Sequence, residues 1–584
     1  MLHTIIKENA YQDSVVLMLL TNKINTMDGI NRVSIMMATP ANKDIFGGSG
    51  LRTPELEAAS ANDMAIVLDI ESEEIVPTVL EEIDAFLLSQ ATSSNEAAEE
   101  TIHTWDKAMK IGKDANIAML SIPGTYAALE AETALDEGLN VFIFSDNVSI
   151  EDELHLKQKA HEKGLLVMGP DCGTGIINGV PMAFTNIVRP GKIGIVGASG
   201  TGIQEVSTLI DKLGAGVTNA IGTGGRDLSE KIGGITMLDS IAALEKDANT
   251  EVIVVISKPP AKAVRDKVLA ALRNVTKPVV TIFLGEKPTY HEENLYHAYT
   301  LEETARIAVD LLNHQPIEVM SDEIEIPTVH LQDSQKHIKG YYSGGTLASE
   351  TAMLIADAMK LEDGLIKKDG FVLKTDGNEV IDLGDDMYTQ GKPHPMIDPE
   401  KRIEMIQQAA DDETTAIILL DVVLGYGAHD DMATALAPTI KETIAKAQAK
   451  GRELIVIGTV VGTTSDPQNF FHQKQLLEEA GVLVCDSNNQ AVRTALGILG
   501  LKINDSHKEI KTIEKETTSE ENTPSERVLD MLSEKPYVIN LGLKSFSDAI
   551  RETGGKALQF NWKPVAGGDL KLQKVLYFLN HYHA

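Results

Sequence analysis

Four glycine-rich loops carry residue types that could bind an anion, and each lies beside a run of apolar residues. They are residues 169–175 (GPDCGTG), 197–202 (GASGTG), 222–227 (GTGGRD) and 343–346 (SGGT). Small residues let backbone N–H groups approach an oxyanion, and a following helix N-terminus presents further donors. The loops therefore predict phosphate or carboxylate binding by a set of residues that comprises Gly169, Asp171, Cys172, Gly173, Gly200, Gly224, Gly225, Ser343, Gly344, Gly345 and Thr346.

Four other side chains are the candidates for catalysis. Ser199 and Thr201 add hydroxyl donors to the second loop, while Arg226 and Lys258 could supply a cation that stabilises developing negative charge. The simpler interpretation of the second loop is a tight strand–helix turn capped by a hydroxyl side chain. For the third loop, the simpler interpretation is a solvent-exposed turn that happens to contain an arginine. The residue types alone leave these alternatives open.

Cysteine, histidine and metal chemistry have weaker support in the sequence. Cys172 has no obvious histidine partner, so it is more typical of a small buried residue than of a nucleophile. His429 could exchange protons, but a lone histidine beside two acids is more typical of a surface. Asp171, Asp227 and Asp430 could offer oxygens to magnesium, yet their spacing selects no site and no metal is assigned. The sequence contains no P-loop, HExxH, paired CxxC or GxSxG motif.

The elements that must hold these loops alternate between strands and helices from about residue 115. Apolar runs such as KIGIV, EVIVVIS and TTAIILLDVV are continuous, which is typical of parallel strands covered on both faces. Ligands of such sheets bind at the carboxyl ends of the strands, where the four loops lie. We expect an α/β fold of doubly wound Rossmann-like and flavodoxin-like units at residues 101–188, 189–320 and 335–502.

The two ends of the chain have a different character. Residues 1–100 follow a βαββα order that predicts a small ferredoxin-like or ACT-like α+β unit. Residues 503–527 are acidic and poor in large apolar side chains, which predicts a disordered linker. Residues 528–584 then form a β–α–β segment that is too small to be stable alone.

Composition excludes several classes of function. The 584 residues include 52 Lys+Arg and 86 Asp+Glu, and the resulting net charge of −34 argues against nucleic acid and anionic membranes as partners. Two cysteines are too few for a disulfide scaffold, and no signal peptide or apolar membrane span is evident, so we expect a cytoplasmic protein. We expect the acids on outer helices and the linker, with Arg226 and Lys258 reversing the sign of the charge locally.

The loops also resemble a known family. GPDCGTG, GKIGIVGASGTG and IGTGGRD occur in the same order as three loops in the α subunit of succinyl-CoA synthetase. The stretch from GNEVIDLGDD through DVVLGYGAHDD to GVLVCDSNNQA resembles the C-terminal domain of the β subunit. With MMATPANKDI and YYSGGTLASE, the layout is most similar to the FdrA family. This resemblance implies a CoA-binding-like Rossmann domain at 101–188, a flavodoxin-type domain at 189–320 and a second ligase-like domain at 335–502.

Four departures from the synthetase concern its catalytic parts. Its phosphorylated histidine lies in a Gly/Ala-rich turn, whereas the corresponding stretch here, GEKPTYHEENLYHAYTLEE, holds His291 and His297 outside such a turn. The strand end that carries the synthetase glutamate reads SKPPAK, so Lys258 takes that place. The N-terminal loop that cradles CoA is replaced by the βαββα unit, and no separate ATP-grasp domain follows. We therefore do not expect a working CoA ligase.

The FdrA resemblance implies a subunit of oxamate carbamoyltransferase, which converts oxalurate and phosphate to oxamate and carbamoyl phosphate in anaerobic allantoin breakdown. Two alternatives remain: an acyl-CoA synthetase-like, nucleotide-dependent ligase, and a non-catalytic subunit that senses CoA or a nucleotide. Implied partners are the other subunits of the complex and the anionic substrates. No cofactor is assigned; CoA or a nucleotide follows only from the fold resemblance, and magnesium is undetermined. Residues 528–584 resemble the start of a partner subunit, as a pairing element or a fusion remnant.

Overall fold

A computed structural model describes residues 1–8, 10, 12, 14–61, 63–92, 102–317, 324–361, 368–375, 377–389, 393–505, 507–513, 523–564 and 570–581. The strands, in chain order, are β1 (Leu2–Lys7), β2 (Ile30–Met37), β3 (Met64–Ile70), β4 (Ile117–Leu120), β5 (Asn140–Ile143), β6 (Val167–Met168), β7 (Thr174–Ile177), β8 (Val180–Ala183), β9 (Pro190–Gly197), β10 (Val217–Gly222), β11 (Val252–Ser257), β12 (Val279–Phe283), β13 (Tyr290–Glu292), β14 (Leu295–His297), β15 (His337–Tyr342), β16 (Phe371–Lys374), β17 (Glu379–Asp382), β18 (Thr415–Val423), β19 (Ile455–Val461), β20 (Val482–Cys485), β21 (Glu509–Lys511), β22 (Tyr537–Leu541) and β23 (Lys556–Phe560).

The helices are α1 (Ser14–Asn25), α2 (Pro40–Gly48), α3 (Pro54–Ala58), α4 (Val76–Thr92), α5 (Trp105–Ile111), α6 (Gly124–Asp136), α7 (Ile150–Lys163), α8 (Gly200–Lys212), α9 (Ile235–Lys246), α10 (Lys262–Arg273), α11 (Leu301–Leu312), α12 (Gly345–Met359), α13 (Asp386–Thr389), α14 (Glu400–Ala409), α15 (Met432–Ala449), α16 (Phe470–Glu479), α17 (Asn488–Ile498), α18 (Glu526–Ser533), α19 (Lys544–Glu552) and α20 (Leu570–His581).

The N-terminal unit is the small α+β domain that the sequence predicts. Its three strands pair antiparallel in the order β1-β3-β2, and α1 and α4 pack together against the apolar side chains of β2 and β3. Two further helices, α2 and α3, fill the connection between β2 and β3 and bury Phe46 and Leu56 on the opposite face of the sheet. The unit contacts the rest of the chain through α1, where the Asn22 side-chain amide donates to Asp398 at 3.0 Å.

Three larger sheets confirm the predicted α/β class. Their strand orders are β23-β22-β4-β5-β6, β14-β12-β11-β9-β10-β7-β8 and β16-β17-β15-β18-β19-β20. Most strand pairs are parallel, and strands such as β11 and β18 are buried along their whole length because helices cover both faces. The carboxyl ends of β9 and β15 therefore open onto α8 and α12, as the doubly wound arrangement requires.

The sequence predicts residues 528–584 to be a separate β–α–β segment, but the structure joins this segment to the first sheet. Strand β22 pairs in parallel with both β4 and β23, so residues 537–560 complete the first sheet. Its apolar side chains enter the same core as Leu120 and Val141, including those of Ile539 and Leu541. A two-stranded segment gains stability by joining a sheet that already has a core, which its short length could not provide.

Two other boundaries also differ from expectation. The hairpin β7–β8 pairs with β10, so residues 174–183 belong to the second sheet rather than to the first unit. Within the predicted linker, β21 pairs in parallel with β13, so residues 509–511 form an ordered part of the fold. Residues 506 and 514–522 lie outside the described part of the chain.

Candidate active site

A cavity of about 610 Å³ lies where the three larger units meet. The carboxyl ends of β4, β5, β9, β10, β11 and β17 contribute to it, together with the loop after β6. Met18 of the N-terminal unit and Leu543 of the C-terminal segment complete the wall. The cavity therefore gathers loops from all parts of the chain, and its lining includes the following sequence-predicted residues: Asp171, Cys172, Gly173, Ser199, Gly200, Thr201, Gly224, Gly225, Arg226, Lys258, Gly345 and Thr346.

Helices α8 and α12 meet at this cavity with their N-termini in contact. Ser199 is the N-cap of α8, and its Oγ accepts a hydrogen bond from the Gly202 N–H at 3.1 Å. The same Oγ forms a side-chain hydrogen bond with Thr346 Oγ1 at the start of α12. In return, the Thr346 N–H donates to Thr201 Oγ1 at 3.3 Å. The two helix starts are thus joined by reciprocal hydroxyl contacts.

This close approach requires glycine on both helices. A Cβ atom on Gly202 would lie 3.2 Å from Thr346 Cγ2, and one on Gly344 would lie 3.1 Å from Thr201 Cγ2. Each helix N-terminus carries a partial positive charge and unpaired N–H groups, so two adjacent N-termini repel each other unless an anion lies between them. The arrangement can bind a small oxyanion such as phosphate.

A buried ion pair fixes the first residues of the α12 turn. The Asp421 carboxylate accepts from the Ser343 N–H at 2.8 Å, the Ser343 Oγ–H at 3.0 Å and the Gly344 N–H at 2.8 Å. Arg402, whose side chain is fully buried, lies 3.2 Å from Asp421 Oδ1. Ser343 and Gly344 were predicted to bind the ligand directly, but their N–H groups donate to Asp421 instead. Their contribution is therefore to hold Gly345 and Thr346 in place.

Lys258 is the cation available to a ligand. It lines the cavity, and its ammonium group has no hydrogen-bond or ion-pair partner among the described residues. Burial raises the pKa of Asp171 to about 6, chiefly through desolvation, while the positive charge of Lys258 partly opposes that shift. The pKa of Asp382 is also raised to about 6 by burial and again opposed by Lys258. The lysine therefore lies near two carboxyl groups that change protonation close to neutral pH.

Arg226 differs from its predicted role. It lines the cavity, but its guanidinium forms an ion pair with the buried Glu153 at 2.9 Å and donates to the Val148 carbonyl at 2.8 Å. Its charge is therefore largely compensated within the protein. Asp227, a possible magnesium ligand by sequence, is buried against Lys157 at 2.7 Å and accepts from the Met237 N–H, so its role is structural.

The predicted local reversal of charge is wrong for this cavity. Asp146, Asp171, Asp382 and Asp386 line it, against Lys258 and the compensated Arg226. The excess of acidic over basic side chains in the whole chain therefore also holds for the lining of the cavity. Anion binding there depends on the two helix N-termini and one lysine rather than on a cationic surface.

Cys172, Gly169 and Gly224 contribute to the packing of the loops rather than to chemistry. Cys172 is 3% exposed, its thiol donates weakly to the Thr174 carbonyl, and burial raises its pKa to about 12, so it stays a neutral thiol. A Cβ on Gly224 would lie 2.3 Å from the Pro170 carbonyl oxygen, and one on Gly169 would lie 2.3 Å from that of Ile143. Both glycines have positive φ and allow adjacent loops to pack against each other.

The three histidines that the sequence singles out do not line the 610 Å³ cavity. His291 Nδ1 accepts from the His297 N–H, and the His297 ring contacts Thr281 and Glu292, in a separate cavity of about 320 Å³ lined by His291. His394 lies in the 610 Å³ cavity instead. Sequence analysis missed it because no motif surrounds it; the flanking prolines in KPHPM, which restrict the backbone, are the available signal. His429 accepts from the Asp431 N–H at 2.9 Å and does not line the cavity.

No cluster of metal-ligating side chains occurs within the described residues. CoA carries a diphosphate and a 3′-phosphate, and the described lining offers Lys258 as its one uncompensated cation. The cavity therefore offers the phosphates of CoA the backbone N–H groups of two helix N-termini and one lysine. No described helix has the length and hydrophobicity needed to cross a membrane.

Comparison with known families defines the class of the protein. Residues 341–498 match the CoA-ligase family, and residues 188–285 match the CoA binding domain family, one unit later in the chain than the sequence predicted. Residues 1–103 match the family described as AllF, heavy metal-associated domain, although both cysteines of the chain, Cys172 and Cys485, lie outside that range. The protein has a succinyl-CoA synthetase-like fold with CoA-binding and CoA-ligase domains.

The chain belongs to the same family as the uncharacterized protein YahF of Escherichia coli (strain K12). The two are 46% identical over 502 residues, which cover 83% of this chain and 96% of YahF. The succinate–CoA ligase [ADP-forming] subunit alpha 2 of Archaeoglobus fulgidus is 30% identical over 179 residues, or 30% of this chain and 60% of that subunit. Among solved structures, the dinucleotide-forming acetyl-coenzyme A synthetase 1 of Ca. Korarchaeum cryptofilum is similar to this protein at 15% sequence identity and a TM-score of 0.30. The aligned region covers 71% of this chain and 90% of that chain.

Proposed function

We propose that the cavity binds inorganic phosphate, or the phosphoryl group of an acyl phosphate, between the N-termini of α8 and α12. The chain then transfers an acyl group between that phosphate and a second substrate. The observation that carries this proposal is the contact of Ser199 with Thr346, which aligns two helix N-termini on one small volume. Formation or breakdown of an acyl phosphate is the chemistry that such a site serves best.

The chain supplies the groups that this reaction requires. A phosphate oxygen attacks a carbonyl carbon, and the resulting tetrahedral oxyanion needs hydrogen-bond donors that are already in position. The N–H groups at the starts of α8 and α12 hold the phosphate, while Lys258 offsets its charge. A covalent enzyme intermediate is not required, in agreement with the neutral, buried thiol of Cys172.

The finer proposal concerns the acyl group. The FdrA resemblance implies oxalurate and phosphate as substrates and oxamate and carbamoyl phosphate as products, with this chain as one subunit of a carbamoyltransferase. The AllF-type match of residues 1–103 supports a role in allantoin breakdown. One feature of the chain favours this small-molecule reaction: His291 and His297, which lie in the stretch that corresponds to the phosphorylated histidine of the synthetase, do not line the 610 Å³ cavity.

The alternative is a complete acid–thiol ligase. The matches of residues 188–285 and 341–498 to CoA binding and CoA-ligase families favour it. That reaction shares the acyl phosphate and differs in the acceptor, so one experiment separates the two.

The test uses the purified full chain, alone and co-purified with the products of neighbouring genes. It is supplied with oxalurate and phosphate in one arm and with ATP, CoA and succinate in the other. Carbamoyl phosphate in the first arm supports the carbamoyltransferase, and succinyl-CoA with ADP in the second supports the ligase. Neither product, together with no exchange of labelled phosphate into carbamoyl phosphate or succinyl phosphate, contradicts acyl-phosphate chemistry.

A further inference from the structure

The side chains of His394 and Asp382 both lie close to Gly384 at the edge of the proposed phosphate site. A Cβ on Gly384 would lie 2.7 Å from His394 Nε2 and 3.2 Å from Asp382 Oδ1. Both side chains line the 610 Å³ cavity. The absence of a side chain at Gly384 therefore leaves room for an imidazole and a carboxyl group beside each other at the cavity.

The orientation of the imidazole is determined by the backbone. His394 Nδ1 accepts from the Met396 N–H at 3.2 Å, so the proton of the neutral ring is on Nε2. The His394 carbonyl accepts from the N–H groups of Ile397 and Asp398, which closes a turn behind the ring. Arg402 donates to the Pro395 carbonyl at 3.0 Å and links this turn to Asp421. The Nε2–H group lies next to Gly384 at the cavity and has no acceptor among the described residues.

The charges around the ring keep it neutral. Burial lowers the pKa of His394 to about 4, and the positive charge of Arg402 adds to this effect. At neutral pH the ring is therefore a hydrogen-bond donor at Nε2 and not a cation. A neutral donor can bind a carbonyl oxygen and strengthen its contact as negative charge develops there.

Asp382 lies beside the anion site itself. Its Oδ2 would be 2.3 Å from a Cβ on Gly345, the first residue of α12, and its Oδ1 accepts from the Gly384 N–H at 2.9 Å. The Asp382 carboxylate and the negative charge of bound hydrogen phosphate repel each other, so the carboxylate is a stronger proton acceptor when phosphate is bound. With its pKa already raised to about 6 by burial, Asp382 can accept and release a proton near neutral pH.

We propose that His394 and Asp382 act as a pair in acyl transfer: His394 Nε2–H binds the carbonyl oxygen of the acyl group, and Asp382 carries the proton. In oxalurate phosphorolysis a C–O bond to phosphate forms and the C–N bond to oxamate breaks. Hydrogen phosphate loses one proton and the oxamate nitrogen gains one, so a single carboxyl group that accepts the first and donates the second balances the reaction. This proposal rests on the proposed function and names the residues that would perform it.

The test compares His394→Leu, His394→Gln and Asp382→Asn with wild type in the assembled complex. His291→Gln is the matched control, because His291 Nδ1 also accepts a backbone N–H and its ring is likewise buried, in the other cavity. We expect His394→Leu and Asp382→Asn to lower kcat by about 100-fold or more. Phosphate should bind His394→Leu about as well as wild type and bind Asp382→Asn more tightly, because a negative charge is removed. His394→Gln, which retains an N–H donor, should recover part of kcat.

Two outcomes would overturn the proposal, and they are distinguishable. If wild type makes carbamoyl phosphate and both His394→Leu and Asp382→Asn turn over within about threefold of it, the pair is not catalytic, while the proposed function stands. If wild type binds phosphate but turns over neither substrate set, the proposed function fails and this proposal fails with it. Thermal midpoints of the variants within a few degrees of His291→Gln exclude general unfolding as the cause of lost activity.

Discussion

Ser199 Oγ and Thr346 Oγ1 form a hydrogen bond across 147 positions of sequence, and this contact joins the N-termini of α8 and α12. The two helices belong to different sheets, so the bond lies at the junction of the second and third units. Two positive helix ends are brought together at the cost of mutual repulsion, which an anion removes. The proposed phosphate site follows from this relationship.

The two candidate cations should behave differently when neutralised. We expect Lys258→Met to weaken phosphate binding about tenfold, because a charge-assisted hydrogen bond contributes about 1.5 kcal/mol. Arg226→Met should change the dissociation constant less than about threefold, because Arg226 is already paired with Glu153. Isothermal titration with inorganic phosphate measures both. Equal loss in the two variants would contradict the assignment of Lys258.

The buried Arg402–Asp421 pair should be essential to the third unit. Replacing Arg402 by Met leaves a buried carboxylate without its cation, so we expect the free energy of unfolding to fall by about 3–5 kcal/mol. Arg452→Met is the control: Arg452 is also buried, but it donates to backbone carbonyls and pairs with no carboxylate among the described residues. Urea denaturation followed by circular dichroism compares them. If Arg402→Met unfolds at a urea concentration as high as Arg452→Met does, the essential role of the Arg402–Asp421 pair is contradicted.

Stability should decrease as the pH rises toward neutrality. Burial raises the pKa of Glu205 and of Glu350 to about 7, above the ordinary value of 4.5. The stability that each contributes is complete below about pH 4.5 and is lost as the pH rises through about 7. In the double variant Glu205→Gln and Glu350→Gln, we expect the thermal midpoint to depend less on pH between about pH 5 and pH 8.

Glu302 provides a control of opposite sign for the pH experiment. Hydrogen bonds to Ser487, Asn489, Arg306 and Gln490 outweigh the desolvation of Glu302 and hold its pKa below the ordinary value. Its contribution to stability is present above about pH 4.5 and lost in more acidic solution. Because the charge of Glu302 is one of the smaller causes of the raised pKa of Glu205 and of Glu350, Glu302→Gln should lower the slope above about pH 5 only slightly. A double variant with the same slope as wild type would show that Glu205 and Glu350 are not the cause.

The C-terminal strands should be required by the first sheet. Ending the chain at residue 527 removes β22 and β23 and exposes the edge of β4, so we expect the half-buried Trp105 to lose its ring contact with Phe560 and become exposed. The emission of Trp105 should shift to longer wavelength, and amide exchange should accelerate in β4. A chain ending at residue 569, which lacks only α20 and the residues after it, is the control and should keep wild-type exchange in β4. Unchanged exchange after the longer deletion would contradict the shared sheet.

The sequence predicts the local parts of the site well. Continuous apolar strands followed by Gly, Ser and Thr loops predict both the parallel sheets and their ligand-facing ends. Ser199, Thr201, Gly345 and Thr346 do lie together at helix N-termini in one cavity. Local hydrophobic pattern and loop composition determine these features, so each is visible within a short window of sequence.

Features that depend on distant pairing were not predictable. The pairing of β22 with β4 joins Val538 to Ile117, and no local pattern specifies that partner. The sequence suggests that the charge of Arg226 is available to a ligand, but Arg226 forms an ion pair with Glu153, which lies 73 positions earlier in the chain. His394 lies in a loop without a recognisable motif, and its role depends on Gly384 and Met396 around it.

The most direct test of the central claim is the binding of inorganic phosphate to the full chain, measured by titration calorimetry. We expect the double variant of Ser199→Ala and Thr346→Val to bind phosphate at least about tenfold more weakly than wild type. Ser149→Ala, which removes the N-cap of α7 at a similar cost of about 1 kcal/mol in stability, should bind phosphate as wild type does. Equal phosphate affinity in the double variant and wild type, or no binding to wild type, would contradict the site between the two helices.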